Sequence, residues 1–105
     1  MEDTYDDADT QTLEDVVLDE AAVQRLADNL RQNSTQRKLS LRGSQLSAEG
    51  AAVLADGLKG NSSVTALCLE WNSIGVFDAG VEALAGALEV NRSITELDLR
   101  NNSIR

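Results

Sequence analysis

Residues 64–74 read VTALCLEWNSI, and residues 94–104 read ITELDLRNNSI. Both segments fit the pattern L-x-x-L-x-L-x-x-N-x-L, with valine or isoleucine at the first position. An earlier copy at residues 36–46, QRKLSLRGSQL, keeps the last three leucines but has glutamine and serine where the later copies have an aliphatic residue and asparagine. The copies follow one another after 28 and then 30 residues. An internal repeat of this length predicts a stack of similar structural units.

Each copy contains two leucines separated by one residue, such as Leu67 and Leu69. This period of two predicts a short strand. The leucines are expected to face the interior, and the residues between them the opposite face of a sheet. Asn72 and Asn102 stand where the chain must turn, so their side-chain amides are expected to bond backbone groups that the turn leaves unpaired. Ser44 holds the same position in the earlier copy and is expected to do so only weakly.

Between the copies lie two matched stretches, residues 50–61 and 80–91, whose leucines recur at three- and four-residue spacings. This period predicts a helix packed against the strand layer. Ser47 and Asp78 are the predicted N-caps of the two helices. The two extra residues of the second repeat fall before its helix, and they are predicted to lengthen the loop at 75–79.

The same period extends towards the N-terminus. Counting back 28 residues from Leu54 and Leu58 reaches Leu26 and Leu30, which predicts a first helix at Glu20–Gln32. A further, N-terminal repeat that contains this helix therefore precedes the segment at 36–46.

The net charge of −9 belongs to the start of the chain. Residues 1–20 hold nine acidic groups and no lysine or arginine, whereas the remainder holds nine of each sign. Residues 1–12 are predicted to be a disordered acidic leader, because they contain too few apolar side chains to offset the entropy of ordering. Residues 13–105 are predicted to form one repeat domain of about three repeats, the last incomplete. Its first strand is degenerate, since the register places Gln11 where a later strand has Leu39.

From about Leu13 onward the chain resembles the leucine-rich repeats of ribonuclease inhibitor, of the NOD-like receptors and of the Ran GTPase-activating protein. The resemblance implies an α/β solenoid, a right-handed βα superhelix with a short parallel sheet on its concave face and helices on its convex face. It also implies a role in recognising other proteins.

Because the sequence stops after a strand and turn, before any closing helix, we expect a fragment of a longer repeat protein. The alternative is a complete small protein that covers this edge by self-association with another copy.

The concave face is the expected contact surface for a protein partner. Its candidate residues are charged or aromatic: Arg42, Glu70, Trp71, Asp98 and Arg100. Aromatic and arginine side chains are over-represented at binding hot spots. The alternative is that Arg42, Glu70 and Arg100 form only a solvated charge ladder across neighbouring strands.

Catalysis and metal binding find no support in the composition. The chain has no histidine and a single cysteine, Cys68, so neither an activated thiol nor a zinc site can be assembled in the usual way. No glycine-rich phosphate loop occurs. We therefore expect no enzyme activity, no cofactor and no metal.

The same composition bears on partners and compartment. The acidic balance argues against nucleic acid, and no run of about 20 apolar residues suggests a membrane span. A lone cysteine fits a reducing compartment, the cytoplasm or possibly the nucleus.

Three interpretations of function remain open. The first is a protein-binding scaffold or receptor segment. The second, by resemblance to the Ran GTPase-activating protein, is a regulator of a small GTPase in which Arg42 or Arg100 assists hydrolysis. The third is one slice of a larger horseshoe without independent activity.

Overall fold

The computed structural model describes residues 10–32 and 35–104. Short strands alternate with helices along this part of the chain: β1 (Thr10–Thr12), α1 (Glu20–Gln32), β2 (Lys38–Ser40), α2 (Ala48–Lys59), β3 (Ala66–Cys68), α3 (Asp78–Val90) and β4 (Glu96–Asp98). A 3₁₀ turn, Ile74–Val76, precedes α3. The strands form one parallel sheet in the order β1-β2-β3-β4. The predicted α/β repeat fold is confirmed, and α1 has the predicted bounds.

The strand register follows the sequence repeat. Gln11 pairs with Leu39, Leu39 with Leu67, and Leu67 with Leu97. The first strand is therefore degenerate in the predicted way, with a polar residue at the position that the later strands give to leucine.

One domain boundary differs from the prediction. The sequence predicts that Thr10–Thr12 is part of the disordered leader, whereas the structure places it in strand β1. Parallel pairing uses backbone groups, so a strand needs no apolar side chain of its own when a neighbour supplies the ladder. The ladder continues past the strand, where the Leu13 N–H donates to the Ser40 carbonyl at 2.8 Å. Residues 1–9, the rest of the predicted leader, lie outside the described residues.

The core lies between the sheet and the helices. Its most completely buried large side chains come from the inner part of the stack, between β2 and the turn before α3: Leu39, Leu41, Leu46, Leu54, Leu58, Leu67, Leu69 and Ile74. Helices α1 and α2 are in close contact at Gly57, where an added Cβ would lie 2.7 Å from the backbone of Ala27. A larger residue there would push the two repeats apart.

The helix starts show one correct and one wrong prediction. Ser47 caps α2, its hydroxyl accepting the Gly50 N–H at 3.1 Å. Asp78 does not cap α3, because the helix begins at Asp78 itself and the cap position belongs to Phe77, which makes no side-chain cap bond. The 3₁₀ turn occupies the first part of the loop predicted at 75–79, so the carboxylate falls inside the first helical turn.

Asn72 fastens its turn to the preceding repeat. Its amide oxygen accepts the N–H groups of Ser44 and Leu46 at 3.1 and 2.8 Å. Its amide nitrogen donates to the carbonyls of Leu41 and Leu69 at 2.9 and 3.0 Å. The predicted role of this asparagine is confirmed.

Asn102 repeats the arrangement one unit later. It accepts the Ile74 N–H at 3.2 Å and donates to the Leu69 carbonyl at 2.7 Å. Ser44, at the equivalent place, makes a single side-chain bond, from its hydroxyl to the Leu13 carbonyl. This fits the weaker role predicted for it.

A second row of asparagines closes the helix ends. Asn61 donates to the Leu30 carbonyl at 2.8 Å, and Asn91 donates to the Leu58 carbonyl at 2.9 Å. Each therefore ties the end of one helix to the end of the preceding helix. Both asparagines are buried, so these bonds are shielded from water.

The outer edge of β4 is less well covered than the inner strands. Leu97 is 37% exposed, whereas its register-mate Leu67 is 1% exposed. Ile104 is 42% exposed, against 0% for Ile74 at the equivalent position. The apolar layer thus continues to the open edge of the sheet without a covering element among residues 10–32 and 35–104.

We expect Asn72→Ala to lower the free energy of unfolding by at least about 3 kcal/mol, because it leaves several buried backbone groups unpaired at once. Urea unfolding followed by circular dichroism measures the change. Asn29→Ala, at an exposed position on α1, is the matched control and should move the free energy by less than about 0.5 kcal/mol. Equal unfolding midpoints for the two variants would contradict the assigned role of Asn72.

Candidate functional site

The candidate site is the side of the sheet that faces away from the helices, here called the open sheet face. The strand register aligns Lys38 with Ala66 and Glu96, and Ser40 with Cys68 and Asp98.

A third row lies just past the strand ends. The backbone ladder continues there, since the Gly43 N–H donates to the Glu70 carbonyl at 3.0 Å and the Trp71 N–H to the Arg100 carbonyl at 3.0 Å. This brings the predicted site residues Glu70, Trp71 and Arg100 to adjacent positions.

Asp98 and Arg100 form a two-point ion pair on this face. The Arg100 Nε lies 3.0 Å from Asp98 Oδ1, and Nη2 lies 2.7 Å from Oδ2. The Arg100 backbone N–H also donates to Oδ1 at 3.1 Å. Hydrogen bonds from the guanidinium and then from the backbone lower the pKa of Asp98 to about 2. Arg100 is still 76% exposed along its side chain, so its outer face is available to a partner.

The side chain of Glu70 is more buried than we would expect if Arg42, Glu70 and Arg100 formed only a solvated charge ladder. Its side chain is only 13% exposed, and its Oε2 lies 3.9 Å from Arg100 Nη2. Its other oxygen, Oε1, is buried without a hydrogen-bond partner among the described residues. A buried, incompletely paired carboxylate costs free energy unless a cation approaches it. Arg42 is exposed, and no ion pair within residues 10–32 and 35–104 joins it to Glu70.

Glu14 belongs to the open sheet face but was not predicted. Its Oε2 accepts the Ser40 hydroxyl at 2.7 Å, and Ser40 is only 2% exposed. The register could have identified Glu14, because it lies 28 residues before Arg42 and so begins the row that Glu70 and Arg100 continue.

Cys68 lies in the middle of the open sheet face and is half-buried. Burial, followed by the negative charge of Glu70, raises the pKa of its thiol above the usual 9.0. A raised pKa keeps the sulfur protonated at neutral pH, which is the opposite of what a nucleophilic cysteine requires.

Trp71 has a left-handed backbone conformation, which glycine, asparagine and aspartate adopt more readily than a bulky residue does. Its φ is 61°, and its register-mates Asp15, Gly43 and Asn101 have φ of 59°, 67° and 61°. Glycine, asparagine and aspartate tolerate this left-handed region, whereas a bulky side chain is strained there by about 1–2 kcal/mol. Trp71 is also 57% exposed, so core packing does not account for its presence.

Phe77 is the second residue that sequence reasoning missed. It is 65% exposed and stands at the N-cap of α3 without a capping bond. At the first two helices, Asp19 accepts the Ala22 N–H and Ser47 accepts the Gly50 N–H. Losing such a cap costs about 1 kcal/mol. Trp71 and Phe77 are the aromatic residues of the described part of the chain, and both are on its surface.

Two kinds of feature are absent from the part of the chain that the structure describes. No group of three or more histidine, cysteine, aspartate or glutamate residues in the described part of the chain is arranged to hold a metal ion. Within the same residues, each helix is too short or too polar to cross a membrane.

We expect Arg100→Gln to raise the pKa of Asp98 from about 2 towards its ordinary value of 3.8, because the guanidinium bonds are lost. In the unaltered chain this pair stabilises the fold above the unfolded pKa of aspartate, and the effect fades as the pH falls towards 2. Carbon-13 NMR titration of the side-chain carboxyl measures the pKa. Arg92→Gln, at an exposed position outside the pair, should leave it unchanged, and a similar shift in both variants would contradict the assignment.

Comparisons with known proteins agree with this geometry. Residues 90–105 match the family model described as Leucine Rich repeat. The chain is 41% identical over 92 residues to leucine-rich repeat-containing protein 45 of Gallus gallus, a match over 88% of this chain and 14% of that protein. It is 33% identical over 88 residues to NACHT, LRR and PYD domains-containing protein 5 of Homo sapiens, over 83% of this chain and 7% of that one.

A solved structure supports the fold separately. The structure titled Leiomodin-1 Actin-Binding Site 2 (ABS2) superposes with a TM-score of 0.80 at 24% identity, covering 91% of this chain and 55% of that chain. The chain thus spans a small part of the curated relatives it matches and just over half of the matched structure. The repeat register, the asparagine turns and these similarities together identify the chain as a leucine-rich repeat protein of the ribonuclease-inhibitor type.

Proposed function

We propose that the chain is a protein-interaction module that binds a protein partner through the open sheet face, with Trp71 as its anchor. The observation that carries the proposal is the combination of strain and exposure at Trp71. Trp71 strains the left-handed backbone, which asparagine or glycine would adopt without strain, and its side chain does not pack into the core. We infer that the side chain is retained for a contact that it makes in a complex.

The charges around Trp71 support the same surface. Arg42 and Arg100 are exposed, and Asp98 orients the Arg100 guanidinium through two hydrogen bonds. An oriented arginine loses less side-chain freedom when it binds. Glu70 keeps 13% of its side chain exposed on the same face, so we propose a partner that presents both an apolar pocket and a basic group.

The alternative role, regulation of a small GTPase, receives less support. It needs an arginine that reaches the transferred phosphoryl group. Arg100 is instead committed to Asp98, and no contact of the described residues favours Arg42 for the task. We therefore propose binding without catalysis, in a reducing compartment such as the cytoplasm.

The exposed apolar edge of β4 supports a further part of the proposal, that the module is one section of a longer array. The exposure of Leu97 fits coverage by another repeat or, failing that, by a second copy. Sedimentation equilibrium tests the second case. A monomer at every concentration would contradict self-association.

The main test is Trp71→Asn. We expect this variant to raise the free energy of unfolding by about 0.5–1 kcal/mol, because asparagine accepts the left-handed backbone. We expect the same variant to lose the partner, since truncation of an aromatic anchor typically weakens binding by about 2 kcal/mol or more. Affinity capture first identifies proteins that the unaltered chain retains and the variant does not, and calorimetry with the purified partner then measures the affinity.

The matched control is Val90→Asn, which replaces a 59% exposed apolar residue at the far end of α3. It should retain the partner. If Trp71→Asn is more stable and binds as tightly as the control, the anchor role is wrong. A variant that is less stable than the unaltered chain would contradict the strain argument.

A further inference from the structure

A cleft with a volume of about 790 Å³ lies between the first turns of α1 and α2. Four apolar side chains line it. Val23 and Leu46 are buried, and Leu18 and Val53 are half-buried. We call this feature the α1–α2 cleft. Because it lies between two consecutive repeats of the chain, a further repeat stacked at either end of the array would leave it open.

The two helices diverge towards their starts. Near their C-terminal ends they are in contact, since an added Cβ at Gly57 would lie 2.7 Å from the Ala27 Cα. Near the start of α2 this contact is lost. The atoms nearest to an added Cβ at Gly50 belong to Leu46 and Ser47, in the same repeat, rather than to α1. The α1–α2 cleft occupies the space between the diverging helices.

The next helix pair, α2 and α3, is closed at the equivalent point. An added Cβ at Gly80, the repeat equivalent of Gly50, would lie 2.8 Å from the Ala48 Cα. The size of the side chains between the helices explains the difference, because it sets how closely two helices approach. The first pair has Glu20, Gln24 and Val53 at the positions where the second pair has Ala48, Ala52 and Ala83.

The charges at the α1–α2 cleft are of one sign. Glu20 lies in the first turn of α1 and Glu49 in the first turn of α2, and both are exposed. Neither forms an ion pair within residues 10–32 and 35–104. Among the described residues that line the cleft, none is a lysine or arginine. Each carboxylate suits the dipole of its own helix. It still faces water and is available to a cation.

We propose that the α1–α2 cleft docks a short segment of a partner protein in which apolar side chains are flanked by lysine or arginine. The apolar side chains pack on Leu18, Leu46 and Val53, in a cleft large enough for several of them. The basic side chains pair with Glu20 and Glu49. This surface is separate from the open sheet face and goes beyond the function proposed above.

This chain is itself a poorer occupant of the cleft. Residues 1–9 hold five acidic groups and no lysine or arginine. The exposed apolar residues Val17 and Phe77 also stand close to acidic residues, Asp19 and Asp78 respectively. Both the start of the chain and a second copy would therefore bring negative charge to a negative cleft, which opposes binding.

The probe is a fluorescein-labelled peptide in which a pair of leucines is flanked on both sides by lysines. Two comparison peptides replace either the lysines by glutamate or the leucines by serine. Fluorescence anisotropy measures binding to the full chain. We expect saturable binding of the lysine–leucine peptide that weakens as salt is added, and binding at least about tenfold weaker for each comparison peptide.

The decisive variant is Ala21→Trp. Ala21 is exposed and lines the cleft, so the indole ring is expected to fill part of it and to weaken peptide binding at least about fivefold. Ala52→Trp is the matched control, because Ala52 is exposed on α2 and does not line the cleft. It should bind as the unaltered chain does. Both variants should unfold within a few degrees of each other, since both positions are on the surface.

A pair of double variants tests the charge. Glu20→Gln with Glu49→Gln should bind the peptide several-fold more weakly and with a smaller dependence on salt. Glu82→Gln with Glu89→Gln makes the same change of net charge at exposed positions of α3 that do not line the cleft, and it should bind almost normally. Trp71→Asn should also retain the peptide, which distinguishes this surface from the open sheet face.

Several results would overturn the proposal. They are an absence of saturable binding, equal binding of the three peptides, equal affinities of Ala21→Trp and Ala52→Trp, and equal losses in the two charge variants, which would indicate only a general attraction to an acidic protein. Sedimentation equilibrium in which the unaltered chain self-associates and Ala21→Trp does not would assign the cleft to a second copy instead.

Discussion

The closure of the turns after β3 and β4 by a buried asparagine, Asn72 and Asn102, is the constraint on which the rest of the stack depends. After each strand the chain must leave the sheet and return as a helix, and the turn exposes backbone groups that water cannot reach inside a stack. Asn72 bonds two N–H groups and two carbonyls, and part of that set belongs to the preceding repeat. The same side chain thus shapes its own turn and fixes the distance to its neighbour, which supports the register of β2, β3 and β4 although each strand is only three residues long.

This constraint also explains which features were predictable from sequence. The 28-residue period transfers register from one copy to the next, so α1 and the pairing of Gln11 with Leu39 followed from counting, whereas the cap at Ser47 followed from the preference of serine for helix starts. The first strand was assigned too late because its pairing depends on backbone groups that side-chain composition does not report. The cap of α3 was misplaced at Asp78 because an insertion interrupts the count at that point.

The open sheet face was predictable in position but not in chemistry. The register placed Glu70, Asp98 and Arg100 in adjacent rows. It could not indicate that Glu70 would be mostly buried or that Arg100 would fold back on Asp98, because these outcomes depend on side-chain conformations across strands. Glu14 was overlooked although the repeat points to it. The strain at Trp71 needed the backbone angle, since the sequence pattern alone treats that position as one more residue after a strand.

The row of left-handed residues, Asp15, Gly43, Trp71 and Asn101, has a consequence for how such a molecule changes over evolution. Each repeat offers one position whose backbone is set by its neighbours and whose side chain lies outside the leucine layer. Replacing that side chain would alter the proposed binding surface in steps of one residue per repeat, while the core and the asparagine turns stay as they are. The same architecture can therefore acquire new specificities without first acquiring a new fold.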